Sequence, residues 1–294
     1  MKSAKTIYLV DDDEDDRMLI REAIENVVEE VAIIEVTDGK KLLELIVDHT
    51  SQDQYGQILI LMDMNMPRMS GLESLAFIRS DPNTQHIPVV MISTTSNKEL
   101  IAKAYEQGIN AFITKPVTIK DYDDLAEAVN VCFLNNDPSP ELPTFVSSFD
   151  KRSVLIVEDD PDHWVLMNAS LQRSAPDTKI FRVPNLETAL NFLTTEWVVS
   201  AKLPDLVLLD LYIPTRLSGL NAINEIRNFY ITHQQAIAPI VMISASNELE
   251  DIDACYRNNA SAYMVKSVDL HRTFSFFHSL FYFWWHTITL PVKI

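Results

Sequence analysis

The chain has 294 residues, of which 47% are hydrophobic and 22% charged, which excludes a globally disordered protein and suits two domains of ordinary size. Its formal net charge of -18 argues against nucleic-acid binding through the whole surface. Cysteine occurs at Cys132 and Cys255 alone in the sequence, so we infer no disulfide framework and expect a reducing cytoplasm. The apolar run after the N-terminus is too short for a signal peptide.

The first half alternates short apolar runs with segments of helical periodicity. Strand-like runs lie at 7–10, 31–36, 58–62, 89–92 and 111–113, and helical patterns lie at 15–29, 39–49, 72–80, 97–107 and 119–134. This alternation predicts βαβ units and a parallel sheet. Because the central runs are apolar throughout, we expect helices on both faces of the sheet. The pattern therefore predicts a doubly wound α/β domain with five strands.

The second half repeats the pattern. Its strand-like runs lie near 154–157, 179–183, 206–209, 240–243 and 262–265. Between the halves, Pro138, Pro140 and Pro143 stand among polar residues, which is typical of a linker. We therefore expect a first domain at 1–134, a linker at 135–152 and a second domain at 153–294.

The last predicted helix is unusually aromatic. Its rings belong to Phe274, Phe276, Phe277, Phe281, Tyr282, Phe283, Trp284 and Trp285. The segment from Thr273 to Val292 has no charged side chain and is long enough to span a bilayer, but His278, His286 and Pro291 favour a soluble terminal helix over membrane contact. A helix that is apolar all round is normally covered. We expect either an aromatic core face or a docking surface for the first domain or a second chain.

Acidic residues end the apolar runs at matching places in the two halves. The first strand of each half ends in an acid pair, and the third strand ends in a single aspartate. These residues are Asp11, Asp12 and Asp63 in the first half and Glu158, Asp159 and Asp210 in the second. Because the carboxyl ends of parallel strands meet at one edge, three poorly solvated carboxylates would repel there, and a hard divalent cation relieves this. The sequence thus predicts two copies of one cation-dependent site.

A hydroxyl and an ammonium group are predicted at the same edge. Ser93 and Lys115 follow the fourth and fifth strands of the first half, and Ser244 and Lys266 are their counterparts. Lysine supplies a charge for phosphoryl oxygens, a hydroxyl supplies a hydrogen bond, and Mg²⁺ on carboxylates can also ligate a phosphoryl group. The central aspartate is then a candidate nucleophile toward phosphorus.

Each of these residues alone has a simpler interpretation. An aspartate after a strand more often caps a helix, a serine more often lies in a turn, and a lysine is more often solvated. A calcium loop is a further alternative, because Asp11, Asp13, Asp15 and Glu22 have the spacing of EF-hand ligands. Asp16 stands where that loop needs glycine, and a strand precedes it instead of a helix. The acids at 13–16 more simply charge the first turn of the next helix.

The ordered motifs resemble the receiver domains of two-component response regulators, over residues 7–134 and 154–285. In the first half the motifs are Val10-Asp11-Asp12, Leu61-Met62-Asp63-Met64-Asn65-Met66-Pro67, Met91-Ile92-Ser93 and Thr114-Lys115-Pro116. In the second half they are Val157-Glu158-Asp159, Leu209-Asp210-Leu211-Tyr212-Ile213-Pro214, Met242-Ile243-Ser244 and Val265-Lys266. The resemblance implies two flavodoxin-like α/β domains, each a five-stranded parallel sheet flanked by helices.

The resemblance also implies the roles of the site residues. Asp63 and Asp210 would accept a phosphoryl group from a histidine kinase or a phosphotransfer protein, with Mg²⁺ as cofactor. The implied metal ligands are Asp11, Asp12, Asp63 and the Asn65 carbonyl in the first site and Glu158, Asp159, Asp210 and the Tyr212 carbonyl in the second. The groups that would hold the phosphoryl group are Ser93 with Lys115 and Ser244 with Lys266, and the residues that match the switch aromatic are Phe112 and Tyr263. We expect a cytoplasmic signalling protein without an output domain or enzymatic turnover, acting through protein contacts and not on nucleic acid or membranes.

The two copies differ at residues close to the repeated acids. Pro116 follows Lys115, whereas Ser267 follows Lys266. In receivers that Lys–Pro bond is typically cis, and a non-proline cis bond costs about 3 kcal/mol, so we expect a different loop or a poorly placed lysine in the second site. Two residues after the acceptor stands Asn65 in one copy and Tyr212 in the other, where the ring would shield a phosphoryl group from water. Domain 1 should therefore be phosphorylated readily, and domain 2 should differ in rate or lifetime.

Two other functions are compatible with the acids. A phosphatase of the haloacid dehalogenase type also uses a strand-end aspartate and Mg²⁺, but it normally needs a second aspartate two residues later, where this chain has Asn65 and Tyr212. A scaffold that is not phosphorylated, with acid sites as remnants, is the third interpretation.

Overall fold

Strands and helices alternate along both halves of the chain in a computed structural model that describes residues 4–51, 56–135, 152–200, 202–266 and 270–291. The elements of domain 1 are β1 (Ala4–Val10), α1 (Glu14–Val27), β2 (Val31–Val36), α2 (Gly39–Ser51), β3 (Gly56–Asp63), α3 (Gly71–Ser80), β4 (Val89–Ser93), α4 (Lys98–Glu106), β5 (Ala111–Thr114) and α5 (Ile119–Cys132). Each predicted strand and helix of the first half is present, with ends that differ by a few residues.

Domain 2 repeats this order. Its elements are β6 (Ser153–Val157), α6 (Pro161–Ser174), β7 (Lys179–Val183), α7 (Leu186–Ser200), β8 (Leu206–Asp210), α8 (Arg216–Thr232), β9 (Ile240–Ser244), α9 (Leu249–Arg257), β10 (Ala262–Val265), α10 (Leu270–Tyr282) and a terminal π-helix (Phe283–Thr287).

Each domain is built on one five-stranded sheet. The strand order is β2-β1-β3-β4-β5 in domain 1 and β7-β6-β8-β9-β10 in domain 2, and all strand pairs within the sheets are parallel. The order reverses between β1 and β3, and again between β6 and β8, which creates a crevice at the carboxyl ends of the strands. The predicted fold class is confirmed: both domains are flavodoxin-like α/β folds.

Helix caps fix the chain directions after the first strand of each domain. Asp13 precedes α1, and its side chain accepts hydrogen bonds from the backbone N–H groups of Asp15 and Asp16. Asp160 precedes α6 and accepts from Asp162 and His163 in the same way. These carboxylates satisfy N–H groups that a helix leaves unpaired at its start. Asp13 thus caps a helix, in agreement with the placement of these acids in a first turn and against a calcium loop.

A single apolar cluster runs through both domains. It includes Ile7, Leu9, Leu125 and Val129 from domain 1 and Val154, Ile156, Phe281, Phe283 and Trp284 from domain 2. Helix α5 contacts α10, the π-helix and β10. The ring of Phe133 meets that of Phe283 edge to face, with centroids 5.9 Å apart. The Tyr282 hydroxyl donates a hydrogen bond to the Asp124 carboxylate of α5. The aromatic end of domain 2 is thus buried against domain 1.

The chain continues past the π-helix onto the edge of the first sheet. Ile288 forms an antiparallel bridge with Ile113 of β5. The Thr289 N–H donates to the Phe112 carbonyl at 2.9 Å, and the Thr289 carbonyl accepts from the Tyr105 hydroxyl at 2.9 Å. An edge strand carries unpaired backbone groups, and this short segment pairs some of them. Domain 2 therefore supplies an extra edge segment to the domain 1 sheet.

Two sequence predictions concern the linker and a membrane-spanning helix. The predicted linker at 135–152 lies almost entirely outside the described residues. Within the described part, no helix is both long and apolar enough to cross a membrane.

Candidate functional site

In domain 1 the predicted site residues gather at the carboxyl ends of β1, β3, β4 and β5. Asp11 and Asp63 are buried, whereas Asp12 is exposed. Carboxylate oxygens from these three residues all lie within 4.8 Å of one another. The acid pair and the single aspartate, 51 residues apart in sequence, thus form one cluster. Three carboxylates at this separation favour a bound cation.

Lys115 places an ammonium group in this cluster. Its Nζ lies 2.8 Å from Asp11 Oδ2, 2.6 Å from Asp16 Oδ2 and 3.7 Å from Asp63 Oδ2. Burial acts to lower the pKa of Lys115, but hydrogen bonds to Asp11 and Asp16 outweigh it, so this pKa lies above its usual value. Lys115 is therefore a fixed positive charge beside the central aspartate.

Asp11 is the most constrained of the carboxylates. Burial raises the pKa of Asp11, although Lys115 and the Asp13 N–H act to lower it. The Asp13 N–H donates to Asp11 Oδ1 at 2.9 Å, and the Arg17 guanidinium donates to the Asp11 backbone carbonyl at 2.7 Å. The charged form of Asp11 is thus oriented by donors, but burial outweighs their effect on its pKa.

The hydroxyl group completes the domain 1 site. Ser93 is fully buried, and its Oγ accepts from the Asn65 side-chain amide and from the Thr95 N–H, each at 3.4 Å. The Lys115 N–H donates to the Ser93 carbonyl at 2.9 Å, which ties the ends of β4 and β5 together. The strand ends thus place Ser93, Lys115 and Asp63 around one crevice.

Domain 2 gathers a related but different set. Lys266 Nζ lies 2.8 Å from Glu158 Oε2 and 2.8 Å from Asp210 Oδ2. Burial acts to lower the pKa of Lys266, but the two carboxylates raise it above its usual value. Ser244 is fully buried at the end of β9, and its Oγ accepts from the Ser246 N–H at 3.2 Å. The central aspartate of this domain therefore contacts its lysine more closely than Asp63 does.

Two alternatives were expected for the second site, a different loop or a poorly placed lysine, and the structure contradicts the poorly placed lysine. Lys266 reaches both Glu158 and Asp210 because the Lys266 N–H donates to the Ser244 carbonyl at 2.7 Å, the same strand-end bond that Lys115 makes. The cis Lys115–Pro116 bond is also not found, since the cis peptide of the described chain is Ile213–Pro214. The loop after Lys266 lies outside the described residues.

Asp16 and His163 are site residues that the sequence reasoning missed. They occupy the same position in the repeat, four residues after the acid pair. Asp16 binds Lys115, and His163 Nδ1 lies 3.3 Å from Lys266 Nζ and 3.6 Å from Glu158 Oε1. Side chains in a first helical turn point back toward the N-terminus, so both reach the strand end. A polar residue in the first turn was the available signal.

The possible metal ligands also differ between the domains. Glu158, His163 and Asp210 offer ligand atoms within 4.8 Å of one another, and Asp159 is not part of this group. The backbone carbonyl of Asp159 instead accepts from Arg182 at 3.3 Å. Domain 1 offers oxygen ligands alone, which suits Mg²⁺, whereas domain 2 combines oxygen with an imidazole nitrogen. The Mg²⁺ fit is therefore better in domain 1.

The side chain of Tyr212 is anchored to Asp251 on α9. Its side chain is 44% exposed, and its hydroxyl donates to Asp251 Oδ2 of α9 at 3.0 Å. Arg216 binds the other oxygen of Asp251 through Nε. The hydrogen bond to Asp251 raises the pKa of Tyr212. The predicted shielding of a phosphoryl group by this ring remains a prediction.

The two residues that match the switch aromatic are buried beside their sites. Phe112 and Tyr263 are each 0% exposed. The Tyr263 hydroxyl donates to the Ser246 carbonyl at 2.8 Å, whereas Phe112 takes part in the contact with Thr289 through its backbone.

The sheet order, the acid cluster and the strand-end lysine together define a class of protein. Its members are α/β domains with a carboxylate cluster, able to hold a cation, in the crevice at the carboxyl ends of a parallel sheet. The family profile described as response regulator receiver domain matches residues 7–130 and 154–276. The chain therefore belongs to the response regulator receiver family and contains two receiver domains, which makes it a component of two-component signalling.

The relatives described here each match less than half of the chain. The response regulator Rcp1 of Synechocystis sp. is 29% identical over 140 residues, which cover 46% of this chain and 93% of the relative. The chemotaxis protein CheY of Pseudomonas aeruginosa is 26% identical over 118 residues, which cover 39% of this chain and 90% of that protein. A crystal structure of the phosphorylated cyanobacterial phytochrome response regulator RcpA is similar at 32% identity and a TM-score of 0.40, covering 43% of this chain and 91% of that one.

Proposed function

We propose that the chain is a tandem-receiver response regulator in which Asp63 and Asp210 accept a phosphoryl group from a histidine kinase or a phosphotransfer protein, with Mg²⁺ as cofactor. The observation that carries the proposal is the pairing of each strand-end aspartate with a lysine ammonium, at 3.7 Å in domain 1 and 2.8 Å in domain 2. In a strand-end crevice, an aspartate can accept a phosphoryl group while the lysine ammonium stabilises the charge on its oxygens.

Each side chain of the domain 1 site has a separate role in the proposed phosphoryl transfer. A carboxylate oxygen of Asp63 attacks phosphorus, the bond from phosphorus to the donor nitrogen breaks, and that nitrogen keeps the electron pair. Lys115 supplies a positive charge and the Ser93 hydroxyl a hydrogen bond for the phosphoryl oxygens. Asp11, Asp12 and Asp63 would hold Mg²⁺, which would supply positive charge for the phosphoryl oxygens. The Asn65 carbonyl is the proposed fourth ligand.

Domain 2 would use Asp210, Lys266 and Ser244 in the same roles. The proposed metal ligands from the repeat are Glu158, Asp159, Asp210 and the Tyr212 carbonyl. Phe112 and Tyr263 are proposed as switch residues. The signal would pass by protein contacts, and the surface between α5 and α10 is the proposed contact between domains, since both helices belong to one apolar cluster.

Labelling with acetyl phosphate and Mg²⁺, followed by mass mapping of each domain, tests the proposal. We expect phosphate on Asp63 and on Asp210, complete loss from domain 1 in Asp63→Asn, complete loss from domain 2 in Asp210→Asn, and no label in EDTA. Asp38→Asn is the matched control, because Asp38 is buried after β2 and binds Arg68 outside the site. Failure of both aspartates to label would favour the scaffold, and turnover of p-nitrophenyl phosphate would favour the phosphatase.

The aspartyl phosphate of domain 2 is expected to be longer-lived than that of domain 1. The reason is the Tyr212 ring, which stands where domain 1 has the smaller, polar Asn65 and which Asp251 holds in place. We expect Tyr212→Asn to shorten the lifetime about tenfold, equivalent to roughly 1.4 kcal/mol of barrier. Lifetimes are read from loss of label after the phosphodonor is removed.

The Tyr212→Phe variant separates the ring from its hydroxyl. It keeps the ring and loses the bond to Asp251, so it should lie nearer to the unsubstituted protein than Tyr212→Asn. Equal lifetimes at both sites of the unsubstituted protein would remove the shielding hypothesis and leave the phosphoacceptor proposal intact.

A further inference from the structure

A cavity of about 490 Å³ lies between the two domains, away from both acid sites. Its walls include residues that directly precede strands: Asn110 before β5, Pro239 before β9 and Ser261 before β10. Because the acid sites follow the strands, the cavity lies at the opposite edge of the sheets. The receiver chemistry proposed above makes no use of it.

Two guanidinium groups line this cavity, Arg79 from α3 of domain 1 and Arg227 from α8 of domain 2. Arg79 donates to the carbonyls of Gly108, Gln85 and Ile87 at 2.9–3.0 Å and to Asn110 Oδ1 at 3.1 Å. These acceptors are all neutral. Arg79 is thus held rigidly but without a counter-charge.

Arg227 has no hydrogen bond or ion pair to any residue of the described ranges. No carboxylate in that part of the chain lies within 4.0 Å of either guanidinium, although the exposed Glu106 also lines the cavity. Burial lowers the pKa of Arg227, and it lowers that of Arg79 to about 10. In a chain with a net charge of -18, two partly buried cations without carboxylate partners are unusual. Cations in this state are costly unless an anion joins them.

The remaining walls suit an organic molecule. Gln234 and Gln235 supply amides, and Ile231, Ile237 and Pro291 supply apolar surface. The volume falls within the range of roughly 300–1,000 Å³ that is usual for small-molecule sites, which often lie between domains. Arg79 already donates four of its five N–H groups to protein acceptors and so offers one at most. Arg227 keeps its guanidinium fork for phosphate or carboxylate oxygens, which such a fork binds in a bidentate manner.

We propose that the cavity binds a small organic oxyanion, a molecule whose phosphate or carboxylate group lies between Arg79 and Arg227 and whose body packs on the amide and apolar wall. Such a ligand contacts both domains at once. It therefore stabilises their docked arrangement, because a ligand favours the conformation to which it binds more tightly. The arrangement is already tied at this cavity by Asn110, whose amide donates to the Ala260 and Ser261 carbonyls at 3.1 and 3.2 Å.

The test uses the full chain in EDTA, so that metal at the acid sites does not contribute. Adenosine monophosphate and citrate serve as probes for the phosphate and carboxylate forms, adenosine as the uncharged control, and inorganic phosphate as the bare anion. We expect saturable calorimetric binding of adenosine monophosphate or citrate and a rise of about 2–4 °C in the thermal midpoint. Adenosine should produce neither effect.

Arg227→Met should weaken binding at least tenfold while leaving the thermal midpoint of the free protein unchanged or higher, since an unpaired buried cation is removed. Arg227→Lys keeps a charge and should retain part of the binding. Arg21→Met is the matched control, because Arg21 is exposed and paired with Glu25 and Glu35, and its loss should leave binding unchanged.

Three outcomes would overturn the proposal. One is the absence of saturable binding of both organic probes at millimolar concentrations. Another is unchanged binding in Arg227→Met. The third is inorganic phosphate binding as tightly as the organic probes, which would mean that the amide and apolar wall takes no part.

Discussion

Replacement of Trp284 by alanine is expected to lower the free energy of unfolding by about 3–5 kcal/mol. Trp284 is 0% exposed and belongs to the apolar cluster that contains residues of both domains. Its Nε1 has no hydrogen-bond partner in the described ranges, so the loss is one of packing and not of a polar bond. The variant removes apolar contact from the surface through which the π-helix meets α5.

Urea unfolding monitored by circular dichroism measures this effect. Trp197→Ala is the control, because Trp197 lies on α7, is partly exposed and contacts His233 of its own domain at a ring distance of 5.8 Å. It makes the same chemical change away from the domain contact and should cost less. Equal losses for the two variants would contradict a special role of Trp284 in joining the domains.

The fold was predictable from the sequence because its strands are buried on both faces. In β4, for example, all five residues are buried, and the first four are apolar while the last is Ser93. The repeat supplied a second, independent copy of the same pattern. The pattern alone therefore predicts Asp63 and Lys115 at one sheet edge, where the Lys115 ammonium lies 3.7 Å from the Asp63 carboxylate.

The rest depends on contacts that no local pattern encodes. The bridge between Ile113 and Ile288 joins residues 175 positions apart, and nothing in either segment alone selects the partner. From the sequence, Asp16 is an ordinary acid in the first turn of a helix. The fold places its Oδ2 2.6 Å from Lys115 Nζ. Ser267, the residue after Lys266, does not determine where this lysine lies. The backbone bond to Ser244, which positions the lysine, comes before that residue.

Substitution of Gly219 or Gly71 by alanine is the other change with a large expected effect. A Cβ at Gly219 would lie 2.0 Å from the Leu211 carbonyl oxygen, and one at Gly71 would lie 2.4 Å from the Asp63 carbonyl oxygen. Both atoms are backbone in the segments that carry the acceptor aspartates, so relief requires the segment to move. We expect a loss of about 3 kcal/mol in each case, since overpacking of this kind typically costs about 1–3 kcal/mol and sometimes more.

Labelling of each aspartate distinguishes a local displacement of one acceptor from a general loss of stability. Gly71→Ala should slow labelling of Asp63 while Asp210 labels as before, and Gly219→Ala should do the reverse, because each displaces the backbone beside one acceptor. Gly39→Ala is the control: its added Cβ would meet Ser74 Oγ at 1.9 Å, a side-chain atom that can rotate away. If Gly71→Ala and Gly39→Ala had the same effect on Asp63, the close approach of α3 to the acceptor strand would not be what positions this carboxylate.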